Sequence, residues 1–326
     1  MRNLLGKLSK FNKQVQPYTH RIKELLWELK YLKFKKSADS QPIGVMRVDG
    51  RGYHGGMTDR FKGAISWWHY CNKNNLIFKL FYNYPFKLTD YIIPNEYDWR
   101  IDEKDIPDSI YNTRIFYARG EKGKRLEKLK AMKNVWYYGN IDIGNTLRYS
   151  PYTDDWGKAF KKLFKPSPLL EKHLKKCQEQ VKEEYIAVVF RFQNLLGDFN
   201  ESFYRTIHNQ EERRNLIDSA LNELENIYRL NGNTPILVTS DSINFLEEAN
   251  RKDYVYIIEG KLSHMEFINE DAAQTQLKSF LDFYMISRAK KVYSVVIGDM
   301  YKSDFPVYAA KVGGIPFERI EISDFK

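Results

Sequence analysis

At 326 residues the chain is long enough for about two domains of roughly 100–200 residues, and its 43% apolar content, with 23 Tyr and 20 Phe, fills real cores and excludes a disordered chain. No run reaches the roughly 18 apolar residues of a membrane span, and with two cysteines, Cys71 and Cys177, neither a disulfide framework nor a cysteine-built zinc site is expected. The net charge of +10 is concentrated at one end: residues 1–36 hold ten Lys and Arg against two acids, so the rest of the chain sums to +2 and a nucleic-acid partner is not expected.

The opening stretch MRNLLGKLSK is interrupted by Lys and Ser and does not read as a secretory leader. The expected setting is the reducing cytoplasm. Residues 20–36 read as one basic amphipathic helix: Ile22, Leu25, Leu26, Leu29 and Leu32 share a face, and Trp27, Tyr31 and Phe34 form an aromatic stripe beside it. Such a helix suits an anionic membrane surface, on its inner face, or a helix docked on the body with its lysines in water. A polar linker at 37–42 leads to an apolar strand at 43–48. Next comes a loop with four glycines in the eight residues 49–56, and a helical pattern from Thr58 through Phe61, Ile65, Trp68 and Tyr70. Strand, glycine loop and helix open an α/β domain. Further strands are predicted at 77–82, 113–117 and 135–138, with a Lys-rich helix over 122–133 between the last two.

The basic run 158–165, punctuated by Pro166 and Pro168, marks the expected domain boundary. It separates a helical extension (1–40) and an N-terminal α/β domain (41–165) from a C-terminal α/β domain (166–326). In the latter, strands predicted at 185–192, 236–239, 254–258 and 292–296 alternate with helices at 211–230, 242–249, 272–290 and 305–312. Asn231-Gly232 and Gly313-Gly314 supply helix stops. Such alternation implies parallel sheets covered on both faces.

Ligands of open α/β sheets sit beyond the carboxyl ends of the strands, so the residues there are the candidates. Arg191 closes an otherwise apolar strand, where its guanidinium fork suits a diphosphate; the structural alternative is a buried pair with a carboxylate such as Asp198. Ser303, with Lys302 before it, opens the last helix, where unpaired N–H groups attract phosphate; plain capping is the other reading. The loop 50–56, with Gly55 and Gly56, leads into Asp59 and Arg60. It fits neither Gly-x-x-x-x-Gly-Lys-Ser/Thr nor Gly-x-Gly-x-x-Gly, and Thr58 or Asp59 could simply cap the helix. The six histidines have no ligand spacing and no Asp-x-Asp occurs, so no metal is expected; Thr153-Asp-Asp155 is a residual candidate.

The segments 54–63, 188–198 and 281–310, with Thr239-Ser-Asp241 between the last two, together resemble the GDP-fucose-dependent fucosyltransferase clan, which includes the nodulation, α-1,6, α-1,2 and protein O-fucosyltransferases. The resemblance implies a GT-B fold of two facing Rossmann-like domains with parallel sheets, and an inverting, metal-independent transfer of fucose to a glycan acceptor. It assigns Arg191 to the β-phosphate and leaving group, Asp282 and the Thr239–Asp241 motif to the nucleotide, and Ser303 to the phosphates, with Lys302 a further candidate by its place next to Ser303. The Gly55-Gly56 loop with Arg60 falls to the sugar nucleotide as well. The chain departs from the clan in carrying Val189 where relatives have His, and in spacing Gly197-Asp198 farther from the Arg. The base does not carry over: Asp59, Asp198 and Glu201 are the candidates, with Asp59 placed first. A lipid-linked glycan precursor would suit the basic end as acceptor. The competing readings are a GT-B enzyme using another nucleotide sugar, and a non-enzymatic protein whose basic end binds membranes or nucleic acid.

Overall fold

The computed structural model describes residues 22–23, 25–36, 41–52, 54–118, 133–139, 156–181, 184–198, 205–260 and 272–323. All but the last residue of the predicted 122–133 helix, the Thr153-Asp-Asp155 motif and Glu201 lie outside them. The chain forms two compact units. One is drawn from 1–55, 59–84 and 98–153, the other from 56–58, 85–97 and 154–326.

The first unit holds a four-stranded parallel sheet of β1 (Ile43–Val48), β2 (Ile77–Tyr82), β4 (Thr113–Ala118) and β5 (Asn134–Gly139), ordered β2-β1-β5-β4. Its strands are the apolar runs legible in the sequence. Helix α1 (Met57–Lys73) crosses from β1 to β2 and lays Trp67 flat on Tyr137, ring centroids 4.5 Å apart. The approach is close because Gly63 has no side chain: a Cβ there would lie 2.2 Å from the Gly139 carbonyl oxygen.

Residues 25–31 are helical and dock on this sheet by their aromatic side. Trp27 stands edge-on to Tyr117 and Tyr138, and buried Glu28 accepts from Arg114 at 3.1 Å. Leu32 is buried, but Ile22, Leu25, Leu26 and Leu29 face outward, as does Phe34. The expected single apolar face is therefore divided, because ring stacking and a buried ion pair hold the helix by the neighbouring stripe.

The second unit holds a five-stranded parallel sheet of β7 (Ile186–Phe190), β8 (Ile236–Ser240), β9 (Val255–Tyr256), β10 (Val292–Ile297) and β11 (Phe317–Ile322), ordered β11-β10-β7-β8-β9. β7, β8 and β10 are buried on both faces, in keeping with sequences that are apolar throughout in β7 and broken only by Thr239, Ser240 and Ser294 in the other two. Helix α4 (Gln210–Leu230) starts where the Asn209 side chain accepts from the N–H groups of Glu211 and Glu212. It packs Leu216, Ile217, Ala220, Leu224 and Ile227 into the core. α5 (Ile243–Ala249), α6 (Ala272–Ser287) and α7 (Phe305–Gly313) complete the crossovers.

Residues 156–166, ahead of the expected boundary, pack within this second unit. The run read as a basic boundary is helix α2 (Trp156–Leu163) followed by β6 (Phe164–Pro166). Trp156, Ala159, Phe160 and Leu163 face inward while Lys158, Lys161 and Lys162 stay in water. β6 pairs antiparallel with β3 (Ile92–Pro94), and Tyr91 beside β3 stacks on Phe280 of α6 at 5.0 Å. Helix α3 (Pro168–Val181) follows, with Leu170, Leu174, Cys177 and Val181 buried. Cys71 and Cys177 are both free and buried.

Candidate functional site

The order of the second sheet sets the site. From β7 the chain winds outward through β8 to β9, then returns to β10 on the other side of β7 and continues to β11. The loops leaving β7 and β10 therefore diverge at their carboxyl ends, which is where doubly wound sheets bind ligands. Arg191 leaves β7 at this point, and the 298–304 loop leaves β10. The Tyr301 N–H donates to the Arg191 carbonyl at 3.0 Å, tying the two loops together.

The Arg191 guanidinium, 23% exposed, meets the buried Asp241 carboxylate at 3.0 Å. Asp241 lies just past β8 and also accepts from the N–H groups of Phe192 (2.8 Å) and Gln193 (2.7 Å). These bonds fix the turn after β7, where Gln193 takes a positive φ of 52°. Burial pushes the Asp241 carboxyl up, and Arg191 and the backbone donors oppose that shift. The carboxylate facing Arg191 is thus Asp241 and not Asp198. Asp198 instead accepts from the Ser242 hydroxyl (2.7 Å) and the Asn244 N–H (2.9 Å). Thr239 is buried on β8, its hydroxyl without a hydrogen-bond partner.

On the other side of Arg191, the Ser303 hydroxyl accepts from the Phe305 N–H at 3.2 Å at the start of α7. Arg319 of β11 donates to the Ser303 carbonyl at 2.7 Å. Lys302 reaches Glu321 at 2.7 Å, both half exposed. Arg191, Asp241, Thr239, Lys302 and Ser303 thus gather around one end of one sheet. Asp282 does not join them: it is fully buried within α6 and accepts from Lys278 one turn earlier. Burial pushes its carboxyl up, and Lys278 pulls the other way.

The glycine loop belongs to the first unit's strand end. Arg60 is 2% exposed, and its guanidinium donates to the carbonyls of Gly55 (3.0 Å) and Tyr84 (2.8 Å) and to the Tyr82 hydroxyl (2.7 Å). His54 is buried beside it, and its Nε2 accepts from the Gly50 N–H at 3.1 Å. Burial, then the nearby Arg60 charge, lower the His54 pKa to about 4, so the ring is neutral near neutral pH. Gly55 has a positive φ of 70°, while a Cβ on Gly56 would meet open space. Asp59, in the first turn of α1, pairs with Lys62 at 2.7 Å.

Arg319 and the anchoring task of Asp241 were missed in the sequence. Over 317–322 the sequence Phe-Glu-Arg-Ile-Glu-Ile alternates only in its last three residues, so the edge strand is weakly signalled, and the contact of Arg319 with Ser303 is seen only in the fold. Among the described residues, no group of three or more His, Cys, Asp or Glu is placed to hold a metal ion. No described helix is long and apolar enough to cross a membrane.

Solved structures carry the same architecture. A mutant of FUT1 from Arabidopsis thaliana in complex with GDP superposes with a TM-score of 0.58 at 11% identity, over 98% of this chain and 79% of that one. The chain shares the fold of a fucosyltransferase. NodZ α-1,6-fucosyltransferase co-crystallised with GDP gives a TM-score of 0.53 at 10% identity, over 83% of this chain and 92% of that one. NodZ from Bradyrhizobium gives 0.54 at 11% identity over the same shares. At such identities the likeness is one of fold, and it agrees with the α/β class expected from the sequence. No protein-family model and no curated protein sequence matches the chain.

Proposed function

We propose that the protein is a glycosyltransferase that moves fucose from GDP-fucose to a glycan acceptor with inversion. The observation that carries this reading is Arg191 at the tip of the central strand, held by Asp241 and tied through its carbonyl to the loop that leads into α7. This is a cationic fork and a helix N-terminus at the switch point of a sheet whose fold is shared with enzymes solved with GDP.

In the transfer, the bond from the anomeric carbon to the β-phosphate oxygen breaks and a bond to the acceptor oxygen forms on the opposite face. Negative charge builds on the departing diphosphate. Arg191 and the Ser303 hydroxyl at the start of α7 are held in advance by Asp241 and the Phe305 N–H, and as donors to the diphosphate they would stabilise the transition state more than the ground state. Charge neutralisation by protein groups is the proposed means, without a divalent metal. Asp241 acts on Arg191 rather than on substrate. Thr239 and Lys302 line the same end of the sheet. Gly55, Gly56 and Arg60 are assigned to the sugar nucleotide. Asp59 is the proposed base for the acceptor hydroxyl: its carboxylate is 39% exposed, whereas Asp198 is engaged by Ser242 and Asn244.

Calorimetric titration with GDP, GDP-fucose and UDP tests the donor, and release of GDP in an acceptor screen tests the reaction. Binding of both guanine nucleotides and not UDP is expected. A folded protein that ignores GDP would overturn the proposal; preference for UDP would keep the fold and change the donor.

A further inference from the structure

We infer that the outward face of the N-terminal helical segment is a docking surface for an anionic phospholipid bilayer. Ile22 (56% exposed), Leu25 (41%), Leu26 (59%) and Leu29 (53%) stand in water although their spacing puts them on one helical face. Four large aliphatic side chains on one exposed stripe are an unused apolar surface, unlike an isolated exposed leucine.

The helix does not need this stripe to hold its place. Trp27 packs on Tyr31, Tyr117 and Tyr138, Glu28 is buried against Arg114, and Leu32 is buried in the same cluster. At 3.6 residues per turn, the docked row of Trp27, Glu28 and Tyr31 lies roughly 150° around the axis from the leucine row. The segment is therefore fixed by one side and offers the other.

Charge identifies the occupant. Lys23 and Lys30 border the leucine row and Lys36 follows it, all exposed. Lys33 and Lys35 are drawn to Asp108 and contribute less. The buried Glu28 presents no negative charge on the leucine side. Residues 1–21 add five further Lys and Arg and no acid. An apolar row rimmed by cations matches an interface of acyl chains beneath anionic headgroups, which attract each Lys and Arg near the surface. The inference is independent of the donor and acceptor proposed above.

Flotation of the full chain with vesicles of phosphatidylglycerol and phosphatidylcholine, or of phosphatidylcholine alone, tests it. Recovery with the anionic vesicles alone is expected, weakened as salt rises from about 0.1 M to 1 M because screening shortens the reach of the lysines. The Leu25→Glu/Leu26→Glu/Leu29→Glu variant, checked by circular dichroism and its melting temperature, should lose at least about tenfold in bound fraction. Lys23→Glu/Lys30→Glu, which changes two exposed side chains and gives up the Lys30 ammonium over the Tyr31 ring, is checked for folding in the same way; it should lose the anionic preference and decides the matter if the first variant misfolds. Equal recovery on both vesicle types, or recovery untouched by the variants, overturns the inference. So does light scattering that shows a dimer broken by the leucine variant in a protein that does not float, since the face would then cover a second copy.

Discussion

At the scale of single residues, the arrangement turns on charges whose partners are fixed. Replacing Arg191 with Ala removes the proposed contact to the leaving diphosphate. We expect turnover to fall by at least about 100-fold with the fold intact, measured as GDP release. Asp241→Ala acts differently: it leaves Arg191 unheld and strands the Phe192 and Gln193 N–H groups. A stability loss of about 3 kcal/mol is expected in urea unfolding, together with lower activity. His54 makes a pH-dependent contribution. Its pKa is about 4 when folded against 6.5 when exposed, so the unfolded chain takes up the proton first. The stability present above pH 6.5 is then lost as pH falls toward 4, because burial and the neighbouring Arg60 charge disfavour the protonated ring in the folded chain, where protonated Nε2 also no longer accepts from Gly50. Melting temperatures across that range should fall in the wild type and change less in His54→Gln.

At the scale of elements, helix α2 depends on an absent side chain. A Cβ on Gly157 would lie 1.9 Å from the Lys311 carbonyl oxygen, backbone that cannot move without shifting α7. Gly157→Ala should lower stability by about 1–3 kcal/mol in urea unfolding, an overpacking cost. Where strands are buried on both faces, as in β1, β7 and β10, their predominantly apolar runs made them legible in the sequence, even with Arg47 within β1 and Ser294 within β10. α2 was hidden because its three lysines dominate the local composition while its buried row of Trp156, Ala159, Phe160 and Leu163 is only two turns long. β3 and β6 are too short to show a period, and they exist because they pair with each other. In the site, Arg191 and Ser303 could be found from their positions after strands. The partner of Arg191 could not, because Asp241 lies fifty residues away and is brought near only by the pairing of β7 with β8.

At the scale of the whole molecule, a ligand of the second sheet should stabilise the chain through linkage. Saturation with GDP at about 100-fold over its dissociation constant adds about 2.7 kcal/mol to unfolding. The melting temperature should rise with GDP and stay level with UDP. Amide exchange should slow at 191–198 and 298–305, the loops that diverge from β7 and β10. Unchanged exchange there in a GDP-saturated sample would place the nucleotide elsewhere.

The chain visits the second unit at 85–97, goes back to finish the first sheet with β4 and β5, and only then builds the second sheet. Neither half is a separable cassette. During synthesis the loop bearing Phe86, Tyr91 and β3 emerges well before α6 and β6, the partners it needs, and must wait exposed for them. A fragment begun at Asp154 would be born without that loop, with Phe280 lacking the rings of Phe86 and Tyr91 and β6 lacking β3, so grafting or swapping the second unit between proteins requires carrying the distant thirteen-residue loop along with it.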